Sequence, residues 1–197
     1  MPATATGLTL VTPPAAEPIT LTEAKGHLRE DDTGQDALIT TLITAAREYV
    51  EQRTTRALVT QTWDVSFAAF PRDGVLLLPK APLASVTTVK YRDGANVEQT
   101  LAATAYDTDP SALPGRVSLA TNQTWPTTYV RPQAVTVRLV AGYGAPLAVP
   151  APLVAAMKLA LGHWYANRES VITGTTATAL PLAFEALLAP YLVVEVA

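Results

Sequence analysis

The sequence of 197 residues contains no cysteine and only two histidines. The absence of cysteine excludes disulfides, thiolate metal ligands and cysteine nucleophiles, and it is consistent with a reducing compartment. Charged residues make up only 16% of the chain, whereas 49% of its residues are hydrophobic. This balance argues against a disordered chain and predicts a folded protein whose weakly polar surface can receive partners.

No segment is strongly basic. Five basic and eight acidic residues lie in 1–56, seven and six in 57–149, and two and three in 150–197. Because sequence-independent DNA binding depends on the neutralisation of phosphates by Lys and Arg, a freely standing DNA-binding role is disfavoured. DNA can still pass close to such a protein without being held.

The N-terminus lacks the basic start and the apolar stretch of a signal peptide, so we expect the protein to remain in the cytoplasm that made it. The longest uncharged window near the C-terminal end, 139–157, contains two glycines and three prolines. These residues would interrupt a helix that has to satisfy its own backbone in lipid. We therefore expect no membrane span and no membrane partner.

Helical signals occur at both ends of the chain. Thr20 and Glu23 have the spacing of a capping box, which predicts a helix from Leu21. Apolar residues then recur at helical spacing in two longer segments, the second of which starts near Pro152. The last turns of the first segment carry Arg47, Arg53 and Arg56, and cations there suit the negative end of a helix dipole. The two stripes are Leu38, Ile39, Leu42, Ile43, Ala46, Tyr49 and Val50, and Leu153, Val154, Met157, Leu161, Trp164 and Tyr165. A last short helix is predicted over 180–188, ended by Pro190.

Residues 57–149 have a different pattern, with β-branched and aromatic runs separated by prolines. We expect strands in LVTQTWDVSF, VLLLP, VTTVKYRDG, NVEQTL, RVSLA and AVTVRLVAGYG, and another around Tyr106. The predicted fold is α+β: a small helical bundle, formed by N- and C-terminal helices, with an inserted antiparallel β domain. The predicted divisions are an N-terminal extension 1–18, helical parts 19–56 and 150–189, the β domain 57–149, and a tail 190–197.

The segment GHWYANRESVITG holds the polar cluster that most resembles an active site. His163 and Asn167 share a helix face, but a zinc helix would need a second histidine and an intervening glutamate. Ser170 lies in no nucleophile elbow. His27 offers no better case, so we predict no catalytic, cofactor-binding or metal-binding residue, and no enzyme. The segment is interpreted as a helix end, with Trp164 in the core.

Two other motifs are equally uninformative. AGYGAP lacks the third glycine and the following helix of a dinucleotide loop, so it is interpreted as a turn after a strand. The acidic run of Glu30, Asp31, Asp32 and Asp36 lacks the liganding pattern of a calcium loop. We expect a solvated loop in which Asp32 or Thr33 caps the next helix.

Several phrases, taken in order, resemble one protein family. EPITLTEAKGHLRED, DALITTLITAAREYVEQRTTRALVTQTWDV, VAGYG, LALGHWYANRESVITG and LPLAFEALLAPY are similar to the head-to-tail connector, or adaptor, proteins of tailed bacteriophages and gene transfer agents. The resemblance covers nearly all of residues 17–191. It implies a structural protein of the virion or particle neck, assembled in the bacterial cytoplasm.

The resemblance also implies partners. Such proteins form a ring, typically of twelve copies, beneath the portal protein, where they extend the DNA channel without sequence-specific binding and receive the next neck component, a stopper or head-completion protein. The C-terminal segment often reaches the portal. The portal-contact candidates carried over by position are Tyr191, Leu192, Val193, Val194, Glu195 and Val196.

Alternatives remain open at this point. From its residues alone, the apolar tail could fold back as a strand on its own sheet or could dock on another chain. The whole chain could be another neck or tail-completion protein. It could also be a ligand-binding β domain on a helical frame, with a carbohydrate surface built from Trp63, Trp125 or Tyr129.

Overall fold

A computed structural model describes residue 3 and the ranges 5–72, 74–167 and 182–193. It combines four α-helices with eight strands in two antiparallel sheets, which confirms the predicted α+β class. Backbone contacts divide the chain into two compact units. Of the described residues, the helical unit comprises those within 16–54 and 144–192, and the β unit comprises those up to Ala15, Thr55–Tyr143 and Val193.

The helical unit contains α1 (Leu21–Leu28), α2 (Asp36–Thr54), α3 (Ala151–Ala166) and α4 (Leu182–Leu188). The predicted capping box is present: the Thr20 hydroxyl accepts a hydrogen bond from the Glu23 amide, and the Glu23 carboxylate accepts one from the Thr20 amide. As predicted, α1 starts at Leu21 and α4 ends at Leu188. Pro190 lies in a 3-10 turn, Ala189–Tyr191, that follows α4 directly.

The predicted apolar stripes form the interior of this unit only in part. On α2, Ile39, Ile43, Ala46 and Val50 are buried, whereas Leu38, Leu42 and Tyr49 are half-buried. On α3, Leu153, Met157 and Leu161 are buried together with Ala156 and Ala160, whereas Val154, Trp164 and Tyr165 are half-buried. Helix α3 packs against both α2 and α4. Small alanines between the larger residues allow the helix backbones to approach closely.

The β unit has eight strands. They are β1 (Gly7–Thr12), β2 (Gln61–Phe67), β3 (Val75–Leu78), β4 (Leu83–Arg92), β5 (Glu98–Thr100), β6 (Tyr106–Asp109), β7 (Gly115–Leu119) and β8 (Val135–Ala141). One sheet has the order β1-β2-β8-β4-β5 and the other β3-β7-β6. All the strands predicted within 57–149 are present.

The two sheets contribute to one hydrophobic core. Val65 and Phe67 of β2 and Val137 of β8 are fully buried, as are Leu76 of β3 and Val117 of β7. Successive residues of a strand face opposite sides of a sheet, so the alternate positions of β2 and β8 form a polar outer face. Full burial of each such side chain favours folding by about 1.5–3 kcal/mol, which explains why the β unit is compact.

Strand β1 lies within residues 1–18, for which the sequence predicts an extension without a strand. The structure pairs β1 with β2 and makes it an edge of the five-stranded sheet. Its large side chains stay partly in solvent: Leu8, Leu10 and Val11 are 40%, 42% and 40% exposed. Every residue of β1 is exposed or half-buried, so the strand lacks the buried face that β2 and β8 present to the core.

Candidate interaction surfaces

The cluster that most resembled an active site lies at the end of a helix. Helix α3 ends at Ala166, and both the amide and the side chain of Asn167 donate to the carbonyl of His163, at 3.0 and 2.8 Å. Trp164 contacts Tyr49 edge-on, with ring centroids 5.5 Å apart. Tyr165 donates its hydroxyl to Glu30. The described part of this segment thus caps a helix and packs it; Arg168–Gly174, including Ser170, lie outside the described residues.

We next consider whether the described residues could bind a metal ion. Within the ranges that the structure describes, no three His, Asp or Glu side chains are grouped so that they could hold an ion. The acidic run forms a capped loop instead: the Asp32 carboxylate accepts from Gly34, and Lys25 donates to Asp36 at 2.7 Å. The predicted cap at Asp32 is confirmed. Among the described helices, none is long and apolar enough to cross a membrane.

Two of the three aromatic residues considered for a carbohydrate surface pack against other side chains. The Lys80 ammonium lies 4.6 Å from the centre of the Trp63 ring, and Trp125 stacks on Phe70 with 4.5 Å between ring centroids. The indole nitrogen atoms of both tryptophans are buried. Tyr129 is 44% exposed, and its amide donates to the carbonyl of Arg92 at 2.9 Å. Both tryptophan rings therefore have a neighbouring side chain against one face, and Tyr129 is the most exposed of the three aromatic residues.

The helical unit also contains a buried ion-pair network that the sequence did not predict. Arg47 was expected to serve as a cation near the end of a helix dipole, but it is only 6% exposed. Its guanidinium donates to Glu17 and to Glu51, both at 2.9 Å. Burial alone would lower the pKa of Arg47, but the charges of Glu51 and Glu17 outweigh it and raise that pKa. Glu51 lies four positions after Arg47 on the same helix, a spacing that favours pairing, whereas Glu17 lies 30 positions before Arg47 and gives no local signal.

The outer face of the five-stranded sheet is polar and carries pairs of opposite charge. Arg138 of β8 donates twice to Asp64 of β2, at 2.8 Å each, and Lys90 of β4 donates to Glu98 of β5 at 2.9 Å. Asp64 and Arg138 lie directly opposite each other in the register of their strands, whereas Lys90 lies diagonally from Glu98, which is directly opposite Arg92. These pairs lower the pKa of Glu98 and raise that of Arg138, so both remain charged at neutral pH.

The portal-contact candidates fall at the limit of the described chain. Tyr191 ends the 3-10 turn, and Leu192 follows in an extended conformation with 46% of its surface exposed. Val193 is half-buried. Val194, Glu195 and Val196 lie outside the described residues. The structure thus places an exposed apolar residue directly after the last helical turn, at the start of the predicted tail.

Comparison with known proteins identifies the class. The family described as "Phage gp6-like head-tail connector protein" matches residues 18–191. The chain belongs to this family of structural phage connectors, and it therefore has a structural role as a neck connector. No curated protein matches the chain.

Three solved structures resemble the chain along almost its whole length, each at 25% identity. A chain in the neck of an empty gene transfer agent (GTA) particle, computed with C6 symmetry, matches with a TM-score of 0.80 over 97% of both chains. A chain in the neck of a native GTA particle, computed with C12 symmetry, matches with a TM-score of 0.73 over 97% of both. A chain in the virion of a native GTA particle matches with a TM-score of 0.76, over 96% of this chain and 97% of the other.

Proposed function

We propose that this connector docks as a ring beneath the portal, extends the DNA channel and joins the capsid to the next neck component. One observation carries the proposal: both the helical and the β parts of the chain match a chain from a GTA neck computed with twelvefold symmetry. The match covers 97% of both chains, so it includes the helical and the β parts together. The ring is therefore proposed to have twelve copies and to reside in the particle neck.

The charge of the chain supports a conduit. The formal net charge is −3, and the outer face of the five-stranded sheet pairs cations with carboxylates. A ring with many unpaired cations would bind phosphates through counterion release and would hinder the passage of DNA. A nearly neutral surface allows DNA to pass without sequence-specific contact. We also propose that the protein is not an enzyme, because its family is one of structural connectors.

The tail is proposed to bind the portal through Tyr191, Leu192, Val193, Val194, Glu195 and Val196. Leu192 supports this role because a large apolar side chain that is nearly half exposed gains free energy when a partner covers it. The segment YLVVEVA has the β-prone, apolar composition of peptides that add to a partner's sheet or groove. Twelve weak tails acting together on one portal ring would reinforce one another.

The test compares the full chain with a version truncated after Ala189 for binding to the cognate portal. Because truncation also removes Tyr191, a point variant, Leu192→Ser, gives a milder test, and Leu113→Ser provides a matched control at an exposed apolar residue of the β unit. We expect truncation to weaken binding most, Leu192→Ser to weaken it less, and Leu113→Ser to leave it unchanged. Equal binding by all four proteins would reject the role of the tail. Absence of binding by the full chain would favour the alternative of another neck or tail-completion protein.

A further inference from the structure

A charged cleft lies on the outer face of the five-stranded sheet. It has a volume of about 160 Å³ and is lined by Lys90 and Arg92 of β4, Glu98 of β5, Thr136 of β8, and Arg131 and Gln133 just before β8. The Glu98 carboxylate lies 2.9 Å from the Lys90 ammonium and 3.7 Å from the Arg92 guanidinium, so two of the three cations share one carboxylate. The cleft therefore has an excess of positive charge.

Arg131 is the cation that carries this excess. It is exposed, and it forms no hydrogen bond or ion pair with any residue that the structure describes. An arginine offers five N–H donors in a rigid planar arrangement that fits a carboxylate with two parallel hydrogen bonds. The cleft thus presents an unused carboxylate-binding group beside a concave polar surface.

An unused carboxylate exists in the helical unit, in the loop of Glu30, Asp31 and Asp32 that follows α1. Asp32 caps a 3-10 helix and Glu30 accepts from Tyr165, so both are engaged within the unit. Asp31 is exposed and, like Arg131, makes no hydrogen bond or ion pair within the described chain. Asp31 therefore lies between two residues whose carboxylates are engaged, and its own side chain is exposed to solvent.

A ring joins each copy to its two neighbours through two different surfaces, one of which must be complementary to the other. We propose that the Asp31 carboxylate of one copy enters the Arg131 cleft of the neighbouring copy. This inference rests on the proposed ring. Opposite charges of this kind set the register of an interface and speed the encounter of its partners.

DNA is the other polyanion that a basic cleft could receive. Phosphate binding along a duplex uses several unpaired cations in a row, whereas Lys90 and Arg92 already face Glu98. A cleft of about 160 Å³ with one unpaired guanidinium suits a single carboxylate side chain better than a duplex backbone. The observations therefore favour a second copy of this chain.

Charge reversal tests the contact on the chain assembled with its portal. Asp31→Arg and Arg131→Asp should each lower the apparent affinity of ring assembly at least about tenfold, because each places like charges together. The double variant D31R/R131D should recover to within about threefold of the original chain, since it restores the pair in the opposite sense. Asp107→Arg and Arg116→Asp, at exposed positions of the other sheet, are controls with the same change of charge and should assemble normally.

Cross-linking gives a second, independent readout because the chain contains no cysteine. With a short bismaleimide, the double variant D31C/R131C should form a ladder of covalently linked copies on the portal. The single variants and the control D107C/R116C should not.

Each outcome decides between distinct conclusions. Normal rings from both single reversals, together with the absence of a ladder, would overturn this contact and leave the proposed function intact. Failure of the unaltered chain to form any ring would reject the proposed function itself. Loss of retained DNA on Arg131→Asp, with assembly unchanged, would overturn the contact in favour of a DNA-facing cleft.

Discussion

Arg47 and Glu51 lie one turn apart on α2 with their charged atoms 2.9 Å apart, and both side chains are almost completely removed from solvent, at 6% and 5% exposed. Glu17 completes the site on the other side of the guanidinium. In such a site each charge depends on the others, because an ion that loses its partner in a protein interior is not compensated by water. The helical unit therefore contains a buried ion-pair network among mainly apolar side chains.

Removing one member of this network should destabilise the helical unit strongly. Glu51→Gln leaves the Arg47 charge only partly compensated, and we expect the free energy of unfolding to fall by roughly 3 kcal/mol. Urea denaturation monitored by circular dichroism measures the change. Arg53→Gln is the matched control, because Arg53 pairs with Glu185 on the surface of the same unit and should have little effect. Equal effects of the two substitutions would contradict the importance of burial.

A second prediction concerns Gly142, which follows β8 with φ of +126°. A Cβ atom at this position would lie 2.4 Å from the carbonyl oxygen of Val59, so Gly142→Ala combines a backbone clash with an unfavourable φ. We expect a loss of roughly 3 kcal/mol in the free energy of unfolding.

Gly94→Ala is the control for Gly142→Ala, since a Cβ atom at Gly94 would meet nothing within 4 Å. Thermal unfolding should show a clear decrease of the midpoint for Gly142→Ala and almost no change for Gly94→Ala. A small effect at both glycines would mean that the turn after β8 can relax around a methyl group.

The capping box of α1 predicts a pH dependence. Hydrogen bonds from the amide and hydroxyl of Thr20 lower the pKa of Glu23 below its ordinary value of 4.5. A carboxylate with a lowered pKa in the folded state stabilises the fold above the pKa of the unfolded state, and this contribution disappears as the pH falls through the folded pKa. Thr20→Ala should therefore reduce stability by about 1 kcal/mol at pH 7, and the difference should shrink in acid.

NMR titration of the Glu23 carboxyl gives the direct measurement of this effect. The pKa of Glu23 should lie below 4.5 in the original chain and should rise towards that value in Thr20→Ala. Thr22→Ala serves as the control, because Thr22 is exposed on the same helix but is not its N-cap. A Glu23 pKa that is the same in all three proteins would show that the capping box does not persist in solution.

A further prediction concerns Phe184 of α4, which is fully buried. The centroid of its ring lies 5.5 Å from that of Tyr49. Phe184→Ala removes a large side chain from the interior and should lower the free energy of unfolding by about 3–5 kcal/mol. Leu182→Ala is the control on the same helix, since Leu182 is 91% exposed. Comparable losses for both variants, measured by urea denaturation, would indicate that α4 does not pack through Phe184.

Local signals predicted the fold better than they predicted the surfaces. The Thr20 box, the α2 stripe and the alternation of Val135, Val137 and Leu139 act over a few residues, and each produced the expected element. Strand β1 was not predicted because it is defined by pairing with β2, which lies 50 or more residues away, and because its side chains remain partly exposed to solvent. Arg47 was misinterpreted for a related reason: the partner that buries it with Glu51 is Glu17, which is distant in sequence.

The candidate surfaces show the same limit. The sequence could exclude a zinc helix at His163 from spacing alone, and it could place Leu192 in an apolar tail. It could not bring Arg131 to Lys90 and Arg92, since only the register between β4 and β8 does so. The role of the neck connector likewise came from the similarity of phrases along the whole chain, because no single group of residues carries a recognisable chemistry.

Electron cryomicroscopy of the purified chain mixed with its cognate portal tests the central claim most directly. We expect a ring of twelve copies of this chain on one end of the portal, coaxial with its channel. A portal without added density, or a chain bound in any arrangement that does not surround the channel, would contradict the proposed function.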